Sequence, residues 1–184
     1  MSLLIGAASS LLALGGGSAP GDTIYEFQAA EAAEWYIVND GVMGGISSSE
    51  FLDSGEGYAV FAGTLSLENN GGFASVRGMV PDGAMSDHAG VALRVRGDGR
   101  TYQVRFRTDR RFDGIAYMAE IQPQAGEWET IVIPFSEFEA TWRGRTPRAA
   151  EPLNTGAIGQ IGLLIGDKDE GPFRLEVRWI RASG

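Results

Sequence analysis

The sequence predicts an all-β sandwich. Ten short runs, apolar or alternating, succeed one another from residue 22 onward. Gly, Asn, Asp and Pro separate them at the spacing of a sandwich's turns. After residue 33 no stretch sustains a helical apolar period, and residues 29–34 offer at most a turn or two of helix.

The strand candidates are residues 22–27, 34–38, 58–67, 73–78, 89–96, 101–108, 115–122, 127–133, 158–166 and 173–181. In 73–78, Ala74 and Val76 turn to the core, leaving Phe73, Ser75 and Arg77 outside. In 89–96, Val91, Leu93 and Val95 share one face, and Ala92, Arg94 and Arg96 the other. In 101–108, Tyr102, Val104 and Phe106 oppose Gln103, Arg105 and Arg107. Gly97-Asp98-Gly99-Arg100 joins these two runs. A four-residue loop sets Val95 opposite Tyr102 and Leu93 opposite Val104, whereas a slip by one residue would set Arg94 opposite Tyr102. The expectation is a hairpin in that register, with Arg94, Arg96, Gln103, Arg105 and Arg107 on one polar face.

The run from Trp128 stops at Pro134, which cannot donate to a ladder and marks a strand end or a sheet edge. Phe135 and Phe138 then fold back onto the core. Residues 141–155 read as a loop carrying Arg143, Arg145 and Arg148. In the last strand Phe173, Leu175, Val177 and Trp179 point inward, and Arg174, Glu176 and Arg178 outward.

Composition bounds the rest. At 184 residues one domain is the default, assigned here to residues 21–184. A chain of this size buries roughly 70% of its extended surface, enough for a core without cross-links. There is no cysteine, so neither disulfides nor thiolate metal sites exist. The one histidine, His88, sits in a polar loop. No metal and no cofactor are expected. Net charge is −9, and residues 1–76 hold nine acids and no base. A basic nucleic-acid footprint is lacking, so no nucleic-acid partner is expected. Residues 1–20 form an apolar segment ending in Gly15-Gly-Gly-Ser-Ala-Pro20, too short to span a bilayer. It reads either as an arm packed on the domain or as a cleaved signal without a positive start. The compartment stays open accordingly: a bacterial-type cytoplasm, or the periplasm or exterior if the segment is cleaved. No other stretch is a transmembrane candidate. Oligomeric state is not legible.

Two segments concentrate polar turn residues where strands should end. In Asn39-Asp-Gly-Val-Met-Gly-Gly45, Asp40 caps a strand exit while Gly41, Gly44 and Gly45 supply left-handed backbone. Calcium would need a fuller oxygen set than this one acid provides. In Asn69-Asn-Gly-Gly72 the glycines make a turn. Asn69 and Asn70 are either turn residues or amide contacts for a ligand. Arg77, Arg94, Arg105 and Arg107, with Gln103, form the candidate binding face, because arginine forks grip carboxylate or phosphate in pairs of hydrogen bonds. The alternative is a solvated face neutralised by Glu68, Glu120 or Asp109. Nothing here is a catalytic signature: there is no nucleophile elbow, phosphate loop or dinucleotide fingerprint.

A series of blocks resembles the family of complex I intermediate-associated protein 30. It begins with Trp35 and Asn39-Asp-Gly-Val-Met-Gly-Gly-Ile-Ser47. Phe61 through Arg77 and Leu93 through Tyr102 follow. Then come Gly114-Ile-Ala-Tyr117, Trp128 through Phe138, Ile161 through Ile165 and Gly171 through Leu175. Together they cover about residues 34–182 in order. The resemblance implies a galactose-binding-like jelly roll of two antiparallel sheets, akin to some carbohydrate-binding modules. It also implies a non-enzymatic role, since mitochondrial members help assemble the membrane arm of respiratory complex I. Residues 1–20 contain no arginine and do not read as a mitochondrial presequence.

Three functions therefore compete: a module that holds a protein partner during assembly, a carbohydrate-binding module, and an unrecognised hydrolase. A glycan site needs exposed aromatic platforms. Trp142 and Phe73 are the candidates, with Trp35, Trp128 and Trp179 assigned to the core.

Overall fold

The computed structural model describes residues 22–27, 31–109, 111 and 113–184; the segment 1–20 lies outside them. The described residues form twelve strands: β1 (Thr23–Glu26), β2 (Tyr36–Ile37), β3 (Ser48–Asp53), β4 (Ala59–Leu65), β5 (Ala74–Met79), β6 (Gly90–Arg96), β7 (Tyr102–Arg107), β8 (Ala116–Ile121), β9 (Trp128–Pro134), β10 (Glu139–Thr141), β11 (Gln160–Ile165) and β12 (Gly171–Ser183). Among them there is no α-helix, only short 3-10 turns. The first sheet runs β3-β4-β12-β6-β9, with β1 on β12. The second runs β10-β8-β7-β11-β5-β2. Every strand pair is antiparallel. The fold is the jelly-roll sandwich expected.

The core lies between the sheets. Phe61, Leu93, Val95 and Leu175 reach in from the first, and Val76, Tyr102, Val104, Phe106 and Leu163 from the second. Ala74 and Val76 are fully buried as expected. Pro134 ends β9 at the edge of its sheet, and Phe135 and Phe138 pack back on Phe106.

The expected hairpin does not form. β6 pairs with β12 and β9, whereas β7 pairs with β11 and β8. Gly97–Arg100 instead carries the chain from one sheet to the other. The apolar alternation fits either outcome, because Leu93 and Val95 enter the same core as Tyr102 and Val104 from the opposite sheet rather than from beside them. What fixes the crossover is polar. The Asp98 carboxylate accepts from the Tyr102 hydroxyl (2.9 Å) and the Arg174 N–H (2.7 Å). Arg100 reaches Asp167 beyond β11.

Two further expectations change. A bulge in β12 between Val177 and Trp179 shifts the alternation, so Ile180 and Ala182 turn inward and Trp179 outward under Arg181. Trp128 is likewise not core. It lies on the outer face of β9, between the guanidiniums of Arg96 (4.9 Å) and Arg178 (4.7 Å). Trp35 is buried, against Phe51 and Tyr25. β3 and β10 escaped the sequence pattern. In β3 Phe51 is buried while its neighbour Leu52 is exposed, which blurs the alternation.

Candidate functional site

The outer face of the second sheet is a groove of about 750 Å³. Its centre is Gly162 on β11. Gly162 pairs with Arg77 of β5 on one side and Arg105 of β7 on the other. A Cβ built on Gly162 would lie 3.5 Å from the Arg77 Cγ and 4.0 Å from the Arg105 Cβ, so a side chain there would stand between the two arginines. One step along the same face, Gln160 pairs with Arg107. Strand periodicity thus puts three arginines, one on β5 and two on β7, on the face where Gly162 and Gln160 of β11 lie between them.

These cations crowd one another. The Arg105 guanidinium donates to the Gln103 Oε1 (3.0 and 2.6 Å), and Arg107 to the Gly114 carbonyl (2.5 Å). Burial, then repulsion from Arg107 and Arg77, pulls Arg105 down to about 10. Burial, then Arg77, also lowers Arg107. At the rim Asp113 bridges to Arg143, which holds its carboxyl below the usual range. Among the described lining residues, Arg143 and Lys168 complete a set of five cationic side chains against the single carboxylate of Asp113. The groove is strongly positive in a chain of net charge −9.

The loop after β2 shapes one wall. Asp40 is fully buried. Its carboxylate accepts from the Ser47 N–H (3.0 Å) and hydroxyl (2.5 Å), and from the N–H groups of Gly72 (2.7 Å) and Phe73 (3.4 Å). Burial pushes this carboxyl up, but those hydrogen bonds outweigh it and hold it below its ordinary value. The carboxylate therefore ties the 40–47 loop to the turn before β5. Gly44 takes a left-handed backbone (φ 91°), as expected of it. Gly45 is needed for close approach instead: a Cβ there would lie 2.4 Å from the Asp40 Cγ. Gly41 meets nothing within 4 Å. The loop presents Val42 and Met43, 64% and 60% exposed, at the edge of the groove.

Of the candidates read from the sequence, Arg77, Gln103, Arg105 and Arg107 come together here. Arg94 does not. It lies on the first sheet, opposite Thr130, and donates to its hydroxyl at 3.2 Å. Asn69 and Asn70 are exposed in left-handed conformation (φ 54° and 60°) outside the lining. Trp142 stands just beyond the rim, 46% exposed, its indole N–H on the Asp113 carbonyl. Of the proposed neutralising acids, Glu120 accepts from Gln103 at 3.4 Å, and the Asp109 carboxylate accepts the Arg111 N–H. Sequence reasoning missed Gly162, Gln160, Asp113, Val42 and Met43. An isolated glycine inside the apolar run Ile161–Ile165 was the available signal, since it marks close approach in a strand.

The comparisons with known proteins agree with this architecture. A family profile described as Complex I intermediate-associated protein 30 (CIA30) matches residues 25–177. The mitochondrial complex I intermediate-associated protein 30 of Mus musculus is 31% identical over 179 residues, covering 85% of this chain and 54% of the relative. The probable Caenorhabditis elegans counterpart is 27% identical, covering 74% and 46%. The chain thus spans about half the length of the curated relatives it matches. Among solved structures, a family 11 carbohydrate-binding module from Clostridium thermocellum, in complex with a β-1,3-1,4-mixed-linked tetrasaccharide, superposes with TM-score 0.66. It is 17% identical and covers 91% of this chain and 98% of that one. An agarase chain superposes with TM-score 0.61 at 12% identity, covering 90% and 25%. Both likenesses concern the fold.

Proposed function

The chain belongs to the family of complex I intermediate-associated protein 30, and from that premise we propose that it is a non-catalytic module. It holds a protein partner during assembly of a respiratory complex, and the groove of the second sheet is its contact face. The observation that carries this reading is the groove's lining: five cations among the described residues, Arg77 and Arg105 beside Gly162, bordered by the exposed Val42 and Met43. Charge joined to exposed apolar surface suits a protein segment. The same lining argues against glycoside hydrolysis, which uses two carboxyl groups, because Asp113 is the one carboxylate among the described lining residues.

The test is affinity capture of the native protein, with respiratory-complex subunits sought in the eluate by mass spectrometry. Gly162→Val, which places a side chain between Arg77 and Arg105, should deplete those subunits. Their equal recovery with the variant would remove the groove from the contact.

A second reading is a glycan-binding module on the same face. The exposed Trp142 beside Asp113 favours it, as does the fold shared with the carbohydrate-binding module. Against it, Phe73 is the one aromatic among the described lining residues. A glycan array separates the two: specific oligosaccharide binding lost in Trp142→Ala would establish the second.

A further inference from the structure

We propose that the groove is a carboxylate receptor for an acidic, partly apolar peptide segment, whose side-chain carboxylate sits over Gly162 between Arg77 and Arg105. This rests on the assembly reading above and adds its chemistry.

The geometry comes first. Arg77 and Arg105 flank Gly162 at the same register, so their Cα atoms are two strand spacings, on the order of 10 Å, apart. From these positions each guanidinium can swing over that gap, that of Arg105 by leaving Gln103, and present a fork to one carboxylate group, with one oxygen for each. Any residue larger than glycine at 162 would fill the space between them. Its Cβ would already lie 3.2 Å from the Val76 carbonyl.

Charge comes second. Arg77 on β5 and Arg105 and Arg107 on β7, the two strands that flank β11, repel one another. Arg105 and Arg107 donate to neutral oxygens, those of Gln103 and Gly114, and neither contact cancels charge. Burial first, and this repulsion after it, lowers the affinity of Arg105 and Arg107 for their protons. An arriving anion relieves the repulsion. The wider lining, with Arg143 and Lys168, repeats the sign and adds to the attraction for an anion.

The neighbours select among anions. Val42 and Met43 border the groove and are largely exposed, which rewards an apolar side chain next to the acid. Their loop is pinned by Asp40 through Ser47 and Gly72, so this apolar edge is held in place before any ligand arrives. A bare phosphate or an acidic sugar would use the arginines and leave Val42 and Met43 uncovered. A peptide of alternating glutamate and leucine uses both.

The experiment measures anisotropy of a labelled, end-capped peptide of alternating glutamate and leucine, titrated with the full chain at low ionic strength. The glutamine-leucine peptide is the control, and inorganic phosphate and glucuronate are competitors. The glutamate peptide should bind and its affinity should fall with added salt. Arg105→Gln and Gly162→Val should each weaken it by about tenfold or more, the loss of one charge-assisted fork. Arg94→Gln, on the other sheet, should leave it unchanged, and Val42→Ser with Met43→Ser should weaken it while leaving phosphate competition as it was. Melting curves check that each variant folds. Equal binding of the glutamine peptide, indifference to Arg105→Gln, or displacement by glucuronate as effective as by an unlabelled glutamate peptide would overturn the inference. If Gly162→Val depletes the captured respiratory subunits while both peptides bind alike, the carboxylate inference fails and the assembly reading survives. If capture is unaffected by Gly162→Val, the assembly reading fails at this face whatever the peptides do.

Discussion

The Asp40 carboxylate accepts the Gly72 N–H at 2.7 Å across 32 residues of chain, joining the loop after β2 to the turn before β5. In Asp40→Ala the N–H groups of Ser47 and Gly72 lose their acceptor in a buried place. The expected cost is roughly 3 kcal/mol, from the penalty of unsatisfied buried donors. For a chain of this length that is a fall in Tm of about 6–12 °C. The folded pKa of Asp40 is lowered, so its contribution is present above the ordinary carboxylate range and is lost as pH falls through the folded value. Melts of the protein and of Asp40→Asn from pH 7 to 3 check this: the variant should lose less stability than the parent on acidification.

The two glycines flanking that loop separate close approach from backbone freedom. Gly45→Ala drives a Cβ to 2.4 Å from the Asp40 Cγ, and it should cost about 2 kcal/mol, as overpacking does. Gly41→Ala meets open space at an ordinary φ, and it should change stability by less than about 0.5 kcal/mol. Denaturant midpoints of the two variants decide. Equal losses would mean that the carboxylate does not set the loop.

How the sequence was legible follows from what side-chain alternation records. Alternation fixes which side chains face inward, so Ala74, Val76, Tyr102 and Val104 were readable as core. It does not record which sheet a strand joins. Leu93 satisfies its apolar face equally beside Val104 or across the core from it, and so the hairpin of β6 and β7 was misread. Arg94 left the candidate site for the same reason. Alternation also fails at a bulge, which gives no residue-level warning. Trp179 was assigned to the core by carrying the alternation through the bulge, and Trp128 was assigned there as well. Both are covered on the outside, by Arg181 in one case and by Arg96 and Arg178 in the other. That Arg77 and the arginines of β7 point away from the core was legible in the alternation. That Gly162 lies between them was not, because the pairing of β11 with both strands is long-range information.

Arg105 should carry function at a cost in stability. It is held partly buried beside Arg77 and Arg107, which pull its pKa down to about 10 after burial itself. A base whose folded pKa is lowered is destabilised while charged, and at neutral pH Arg105 is charged. Arg105→Gln should therefore raise stability by about 1 kcal/mol, the scale of relieving an uncompensated charge, or roughly 2–4 °C in Tm. Sulfate should raise the Tm of the parent more than that of Arg105→Gln, because an anion bound to the fold stabilises it by mass action. Scanning calorimetry with and without sulfate reads both. A clear loss of stability in Arg105→Gln would make this arginine a structural element.

The ion pair of Arg100 and Asp167 should be the principal clasp of the crossover. Arg100 lies in the segment that carries the chain from β6 in one sheet to β7 in the other. Its Nε and Nη2 donate to the two Asp167 oxygens at 2.9 and 2.7 Å, and its Nη1 to the Pro172 carbonyl at 2.8 Å. Asp167 stands where the chain leaves β11, and Pro172 where it enters β12. One guanidinium thus joins two passages between the sheets. The side chains are 11% and 13% exposed, so solvent screens them little. Asp167→Ala leaves a largely buried cation without its partner and should cost about 3 kcal/mol. Burial pushes the Asp167 carboxyl up, and the bonds from Arg100 outweigh it and hold it low, so the pair stabilises above the carboxylate range and fails as pH drops below it. Replacing both partners with apolar residues, Arg100→Met and Asp167→Leu, should cost less than Asp167→Ala alone, since no charge is then stranded. A double-mutant cycle read by chemical denaturation tests the coupling. If Asp167→Ala and Arg100→Met prove additive, the Asp98 contacts to Tyr102 and Arg174 hold the crossover by themselves.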